Sequence, residues 1–368
     1  MKKIVVVVGT RPNFIKITQF EKAFKKYGYR FEFQIIHTGQ HYDANMSDIF
    51  FNELELKKPD MLKIEKSTST EDIGNTIIQL SRYFQEQKPD LVIVVGDVNS
   101  TLAGAIAANK NGIKIAHLEA GLRSYDREMP EEINREITDL ITDYFFVTEP
   151  SGLENLVREG RLKDNIFQVG NTMIDTLVNF DAKIELSDIL ERFSIRKNKY
   201  ALITMHRPKN VDILENLKQL IGALEQLSAH LQIVFPIHPR TKNKMEANGL
   251  LERVNAIPNL ILLPPTGYLD FQKLIKYATV VVTDSGGIQE ETTFRGIPCL
   301  TIRENTERPV TISVGTNELI EFDVDLIVKK VMEIIEGKGK KGEIPHLWDG
   351  AATERIVDIL ANHIFSGQ

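Results

Sequence analysis

The sequence predicts an α/β protein of two Rossmann-like domains, each a doubly wound parallel sheet, facing across a cleft. Three observations carry this. Short apolar, β-branched runs alternate with longer helical patterns almost from end to end. The runs are continuously hydrophobic, as strands buried on both faces are, and the helices between them make the sheets parallel. They also fall into two series, and 368 residues are too many for one ordinary core.

The first series is residues 4–8, 31–36, 91–95, 113–116 and 144–147. The second is residues 201–205, 232–235, 260–262, 280–283 and 298–302. Gln168-Val169-Gly170-Asn171 closes the first series, and the polar stretch 196–199 precedes the second. The expected domains are residues 1–172 and 173–350, followed by a C-terminal helix within 351–368. The apolar stripe of that helix (Ala351, Ile356, Ile359, Leu360, Ile364) must pack on something, and the first domain is the expected partner. The opening MKKIVVVV superficially mimics a secretion signal, but Gly9-Thr10-Arg11-Pro12 interrupts it and it reads as a first strand.

Composition narrows the function. With 42% hydrophobic and 26% charged residues the chain has the make-up of a soluble globular protein. A formal charge of −6 argues against a nucleic-acid partner, which needs a basic field, so any phosphate site is local. No segment is long enough to span a bilayer. The lone Cys299, in IPCLTI, reads as a small core residue in a reducing compartment, and the expected location is cytoplasmic. There is no CxxC pair, GKT/S loop or GxSxG elbow, and GxGxxG is missing from the first strand-to-helix turn. Neither metal nor cofactor is expected.

In open parallel sheets ligands sit beyond the carboxyl ends of the strands, so the polar residues there are the candidates. After the first strand comes Gly9-Thr10-Arg11-Pro12-Asn13-Phe14-Ile15-Lys16. Arg11 and Lys16 either present cations to a diphosphate or are solvated residues of an ordinary turn. Asp97 stands at the tip of a buried strand, as a functional acid or as a cap for the helix starting near Asn99. His117 and Glu119 alternate onto one side of the next strand, and Gly121 breaks it. In Met129-Pro130-Glu131-Glu132 the proline suits a first helical position, and Ile133, Ile137, Leu140 and Ile141 form the expected buried stripe. The helix dipole accounts for one of the two glutamates. It does not account for Asp97, Glu119 and Glu131 converging, an arrangement suited to acid–base chemistry. In the second half His206 ends a strand, able to serve a leaving phosphate or to be a satisfied structural histidine. Thr283-Asp284-Ser285-Gly286-Gly287 puts two glycines at a helix start, where bare amides suit a diphosphate. Ser285 can cap that helix, and Glu290 or Glu291 lies one turn on, in reach of ribose hydroxyls. Arg308 adds a cation after the next strand.

Taken in order, GTRPNFIK, TGQHYD, GDVNSTLAG, HLEAGLRS, MPEEINR, HRPKNVD, HPR, TDSGGIQEE and TERP with GTNELI resemble the non-hydrolysing UDP-N-acetylglucosamine 2-epimerases, whose fold is of the GT-B type. The resemblance implies interconversion of UDP-GlcNAc and UDP-ManNAc for surface-polysaccharide synthesis, usually by a homodimer. It carries a catalytic role to Asp97, Glu119, Glu131 and His206. UDP contacts pass to Arg11, Lys16, Ser285, Gly286, Gly287, Glu291 and Arg308. Asn13, Lys209 and Val310 depart from the residues common at those positions. Relatives acting on other UDP-2-acetamido sugars share TGQHYD, and a GT-B glycosyltransferase or a silent nucleotide-sugar-binding regulator are the rival readings. Some bacterial relatives are activated by UDP-GlcNAc through residues around Gly39-Gln40-His41-Tyr42-Asp43. Asp43 would repel a second diphosphate, so weak or absent activation is expected here.

Overall fold

The computed structural model describes residues 1–39, 51, 53–62, 64 and 68–366. The apolar runs become strands flanked by other strands. β1 (Lys2–Val8), β2 (Phe31–His37), β3 (Asp60–Met61), β4 (Leu91–Val95), β5 (Lys114–Leu118), β6 (Tyr144–Val147) and β7 (Ile166–Gln168) form one sheet. Its order is β3-β2-β1-β4-β5-β6-β7, and every pairing is parallel. β8 (Tyr200–Thr204), β9 (Gln232–Pro236), β10 (Leu260–Leu263), β11 (Val280–Thr283), β12 (Cys299–Ile302) and β13 (Asn317–Ile320) form the second, in the order β10-β9-β8-β11-β12-β13. It too is wholly parallel. Both are doubly wound Rossmann-type sheets. The order in which strands are added reverses between β1 and β4 and between β8 and β11, and crevices for ligands open beside such switch points.

Continuous hydrophobicity follows from burial on both faces. Ile4–Val8 are at most 1% exposed, and β8, β9 and β11 feed side chains to separate apolar clusters on either side of their sheet. The short edge strands β3 and β13 escape the sequence pattern because they have a covered neighbour on one side only and mix polar with apolar residues.

Two compact units result, Met1–Asn179 with His346–Gln368, and Phe180–Pro345. The first boundary falls inside the helix Thr172–Leu186, which runs unbroken across the expected position at 172/173. In the first unit the returning segment is tied down by Trp348, buried with its Nε1 donating to the Thr148 carbonyl at 3.1 Å. Asp175 accepts from the amides of Ala352 and Thr353 at 3.0 and 2.6 Å, satisfying donors at the start of the helix Ala352–Ile359.

One expectation is overturned. The helix Pro130–Ile141 buries only part of its apolar stripe: Ile141 packs against the core and Ile133 is half-buried. Its inward residues are Glu132, Asn134, Arg135, Thr138 and Asp139, while Ile137 and Leu140 are 37% and 60% exposed. The polar face wins because it supplies bonds that the loops at the ends of β4 and β5 need.

Candidate active site

At the first switch point Asn13 joins the two central strands. Its Oδ1 accepts from the amides of Gly9 and Thr10 at 3.0 and 3.1 Å, and its Nδ2 donates to the Val95 carbonyl at 3.1 Å. A glutamate here has no donor for that carbonyl. Arg11 and Lys16 share the short helix Arg11–Ile17 but differ in surroundings. Arg11 makes no hydrogen bond or ion pair with a described residue. Lys16 is buried, and its Nζ is ion-paired with Glu119 Oε2.

Glu119 lies just past β5, not on it. Its φ of 69° is left-handed, so the alternation with His117 does not set its direction. Asp97 does not cap the following helix either. Val98 holds the cap position, and Asp97 Oδ2 instead accepts from Arg135 Nη2 at 2.5 Å. Glu131, half-buried in the first turn of its helix, has no side-chain partner among the described residues. The carboxylates therefore differ. Two face a cation, and one is open.

The loop between Glu119 and Glu131 is bolted in place. Glu132, wholly buried, accepts from the Ser124 amide and hydroxyl and from the Tyr125 amide, each at 2.9 Å. Its Oε2 also meets Arg135 Nη1 at 2.8 Å. Gly121 has φ 78°, and a Cβ there would stand 2.3 Å from the Gly152 carbonyl oxygen. This loop crosses the helix Pro150–Arg158 too closely for any side chain. Glu132 thus holds the loop, while Glu131 stands in the first turn of the helix with no side-chain partner among the described residues.

In the second unit His206 Nδ1 lies 2.9 Å from Asp284 Oδ1. The buried Asp284 also accepts from the amides of His206 and Arg207 at 3.0 and 2.8 Å and from Asn210 Nδ2 at 3.1 Å. Burial pushes this carboxyl up, but the His206 ring and these amides outweigh it and hold it below the usual range. Nδ1 is so occupied, and the ring, 40% exposed, lies 5.3 Å from the His238 ring.

Ser285 stands at the N-cap of the helix Gly286–Arg295, yet its hydroxyl makes no capping bond, contrary to expectation. The first amides of that helix keep no side-chain cap. A Cβ on Gly286 would meet Glu307 Oε1 at 2.6 Å and Arg308 Nη1 at 3.0 Å. Any larger residue there would displace the Glu307–Arg308 pair, which rests against this glycine. Arg308 Nε lies 2.8 Å from Glu290 Oε2, both buried. That engagement separates the two glutamates of the motif. Glu291, also buried, is pushed up to about 7 by desolvation, with Gln272 and Arg295 opposing and Glu290 adding to the rise.

Sequence reasoning missed Asp284, Arg135, Glu132 and Glu290 as partners, although each sits inside a motif already singled out. The signal was available in Asp284, an acid at a strand tip next to the glycines. Gln40, His41, Tyr42 and Asp43 lie outside the described residues. Among the described residues no cluster of potential metal ligands occurs, and no helix is long and apolar enough to cross a membrane.

Fold and site together define a two-unit, doubly wound α/β protein of GT-B type with polar clusters at both switch points. The UDP-N-acetylglucosamine 2-epimerase family model matches residues 22–361. A protein of Methanocaldococcus jannaschii named UDP-N-acetylglucosamine 2-epimerase is 41% identical, over 97% of this chain and 98% of its own length. A Pseudomonas aeruginosa protein named UDP-2,3-diacetamido-2,3-dideoxy-D-glucuronate 2-epimerase is 37% identical, over 98% and 99%. The crystal structure of the M. jannaschii UDP-GlcNAc 2-epimerase in complex with UDP-GlcNAc and UDP superposes with TM-score 0.87 at 39% identity, covering 97% of this chain and 99% of that one. The chain belongs to the UDP-N-acetylglucosamine 2-epimerase family.

Proposed function

We propose that this chain interconverts UDP-N-acetylglucosamine and UDP-N-acetylmannosamine by inverting C2, without metal or cofactor. The observation that carries the reading is the set of three carboxylates in unlike surroundings, two just past β4 and β5 and one at the start of the helix Pro130–Ile141: Asp97 on Arg135, Glu119 on Lys16, and Glu131 open. No carbonyl acidifies the C2–H of such a sugar, so the C1–O bond breaks first. UDP leaves with the bonding pair. Arg11, Arg308, Ser285 and the amides of Gly286 and Gly287 stabilise the charge that develops on it, and His206 donates a hydrogen bond from Nε2. A carboxylate takes the C2 proton, giving 2-acetamidoglucal. A carboxylate on the other face returns a proton to C2 as the UDP oxygen re-adds to C1. Two faces need at least two acid–base groups, and the trio supplies them. Lys16 serves the diphosphate side through its charge beside Glu119, and Glu291 takes the ribose hydroxyls.

The same reading includes a cytoplasmic homodimer supplying surface-polysaccharide synthesis. Ile137 and Leu140, exposed on the outer side of the helix Pro130–Ile141, support self-association, because exposed apolar side chains grouped on one face mark interaction surfaces. A related UDP-2-acetamido sugar is the second substrate candidate, favoured by the name of the P. aeruginosa relative. Incubation with UDP-GlcNAc alone, followed by NMR of the anomeric protons, tests the proposal. UDP-ManNAc should accumulate to a fixed ratio. Unchanged UDP-GlcNAc alongside turnover of the diacetamido glucuronate would transfer the activity to that sugar, and inertness toward both would refute it.

A further inference from the structure

We propose that His117 and Asp139 are a buried positioning pair that sets the placement of Asp97 and Glu119; this rests on the functional reading above. Both side chains are fully buried, and neither touches solvent where substrate would bind. The His117 ring bridges two acceptors. Its Nε2 lies 2.7 Å from the carbonyl of Gly96, the residue before Asp97, and its Nδ1 lies 2.6 Å from Asp139 Oδ1. The other Asp139 oxygen accepts from the Gly121 amide at 3.1 Å, two residues beyond Glu119. It is also 2.8 Å from Arg123 Nη2, and Arg123 is in turn clamped by both oxygens of Glu159 at 2.9 and 2.7 Å. One chain of bonds therefore starts on the backbone beside the first carboxylate and ends on the backbone beside the second.

The chemistry of the acceptors is demanding. A carbonyl cannot donate, and neither can an ionised carboxylate, so both ring nitrogens donate in this arrangement. Burial pushes the Asp139 carboxyl up, but His117 and Arg123 prevail and hold it below the usual carboxylate range. An apolar side chain at 117 would leave the Gly96 carbonyl and Asp139 Oδ1 without the donors the ring supplies. The pair is thus built to hold geometry, and shifts of about an ångström in such groups cost on the order of a hundredfold in rate.

The test uses the full chain, with Asp139→Asn, His117→Gln, His117→Phe and the double variant His117→Phe/Asp139→Asn. Asp139→Asn and His117→Phe should each lower kcat about ten- to a hundredfold while KM and UDP affinity stay within about twofold. His117→Gln, which keeps one donor, should retain more activity than His117→Phe. The double variant should be no slower than the worse single, as two members of one chain of bonds behave. Independently, ¹⁵N-histidine NMR of the wild type should show both His117 ring nitrogens protonated, a readout that survives if a variant fails to fold. An unprotonated His117 nitrogen, an unchanged kcat, or a loss confined to KM overturns the inference. Failure of the wild type to turn over any UDP-sugar would refute the functional reading instead, and the ring-nitrogen signature would still decide the bridge.

Discussion

Replacing Glu291 with glutamine should change the pH dependence of stability in a calculable way. Burial raises this carboxyl from 4.5 to about 7, which corresponds to about 3 kcal/mol at about 1.36 kcal/mol per pH unit. The full burial of the side chain leaves little solvent screening to discount. Between pH 4.5 and 7 the folded protein keeps a proton that the unfolded chain has released. Stability therefore falls as pH rises across that window and levels off above it. Glu291→Gln cannot ionise and is nearly isosteric, so its advantage over the wild type should grow by about 3 kcal/mol between pH 4.5 and 8. Urea denaturation of both proteins at half-unit pH steps measures this. The same proton matters for the ligand. Ribose hydroxyls donate to a carboxylate, so wild-type UDP affinity should strengthen from pH 6 to 8, with proton release visible in calorimetry across buffers of different ionisation enthalpy. A stability difference that stays constant with pH, together with UDP binding that releases no proton, would refute the reasoning.

Three further outcomes are expected. Asp97→Asn and Glu131→Gln should each lower the rate by on the order of a hundredfold or more, leaving UDP affinity by calorimetry within about twofold; parallel losses of rate and UDP affinity would place them in binding. Gly286→Val should weaken UDP binding more than about tenfold, because the new Cβ would stand 2.6 Å from Glu307 Oε1 and 3.0 Å from Arg308 Nη1. An unchanged UDP titration would remove this helix start from the diphosphate site. Leu140→Asp, on the outward stripe of its helix, should halve the mass measured by light scattering if that stripe is the homodimer face, and a mass that stays put contradicts that assignment.

The central strands and both switch points were legible in the sequence because buried parallel strands leave continuous apolar runs, as at Val92–Val94 and Val280–Val282. The edge strands β3 and β13 were not, since Asp60, Asn317 and Glu318 carry polar groups in strands with one covered neighbour, whereas the wholly apolar edge strand β10 was. The strand-tip acids Asp97, Glu119 and Asp284 were visible as residue types at strand ends, but not their partners. Which cation meets which carboxylate depends on where Lys16 and Arg135 arrive in space, and spacing along the chain does not encode it. The helix Pro130–Ile141 misled for a related reason. Amphipathic periodicity identifies the apolar side, and ordinarily that side is the buried one. Here the loops at the ends of β4 and β5 demand hydrogen bonds from Glu132, Arg135 and Asp139, so the polar side turns inward.

Turnover of UDP-GlcNAc in D2O, with neither nicotinamide nor metal added, tests the elimination and re-addition account most directly. The C2 proton is lost to a carboxylate and a solvent-derived proton returns on the other face, so the account predicts deuterium at C2 of the UDP-ManNAc formed. Product that retains its original C2 hydrogen, or activity that appears only when NAD is supplied, would contradict it.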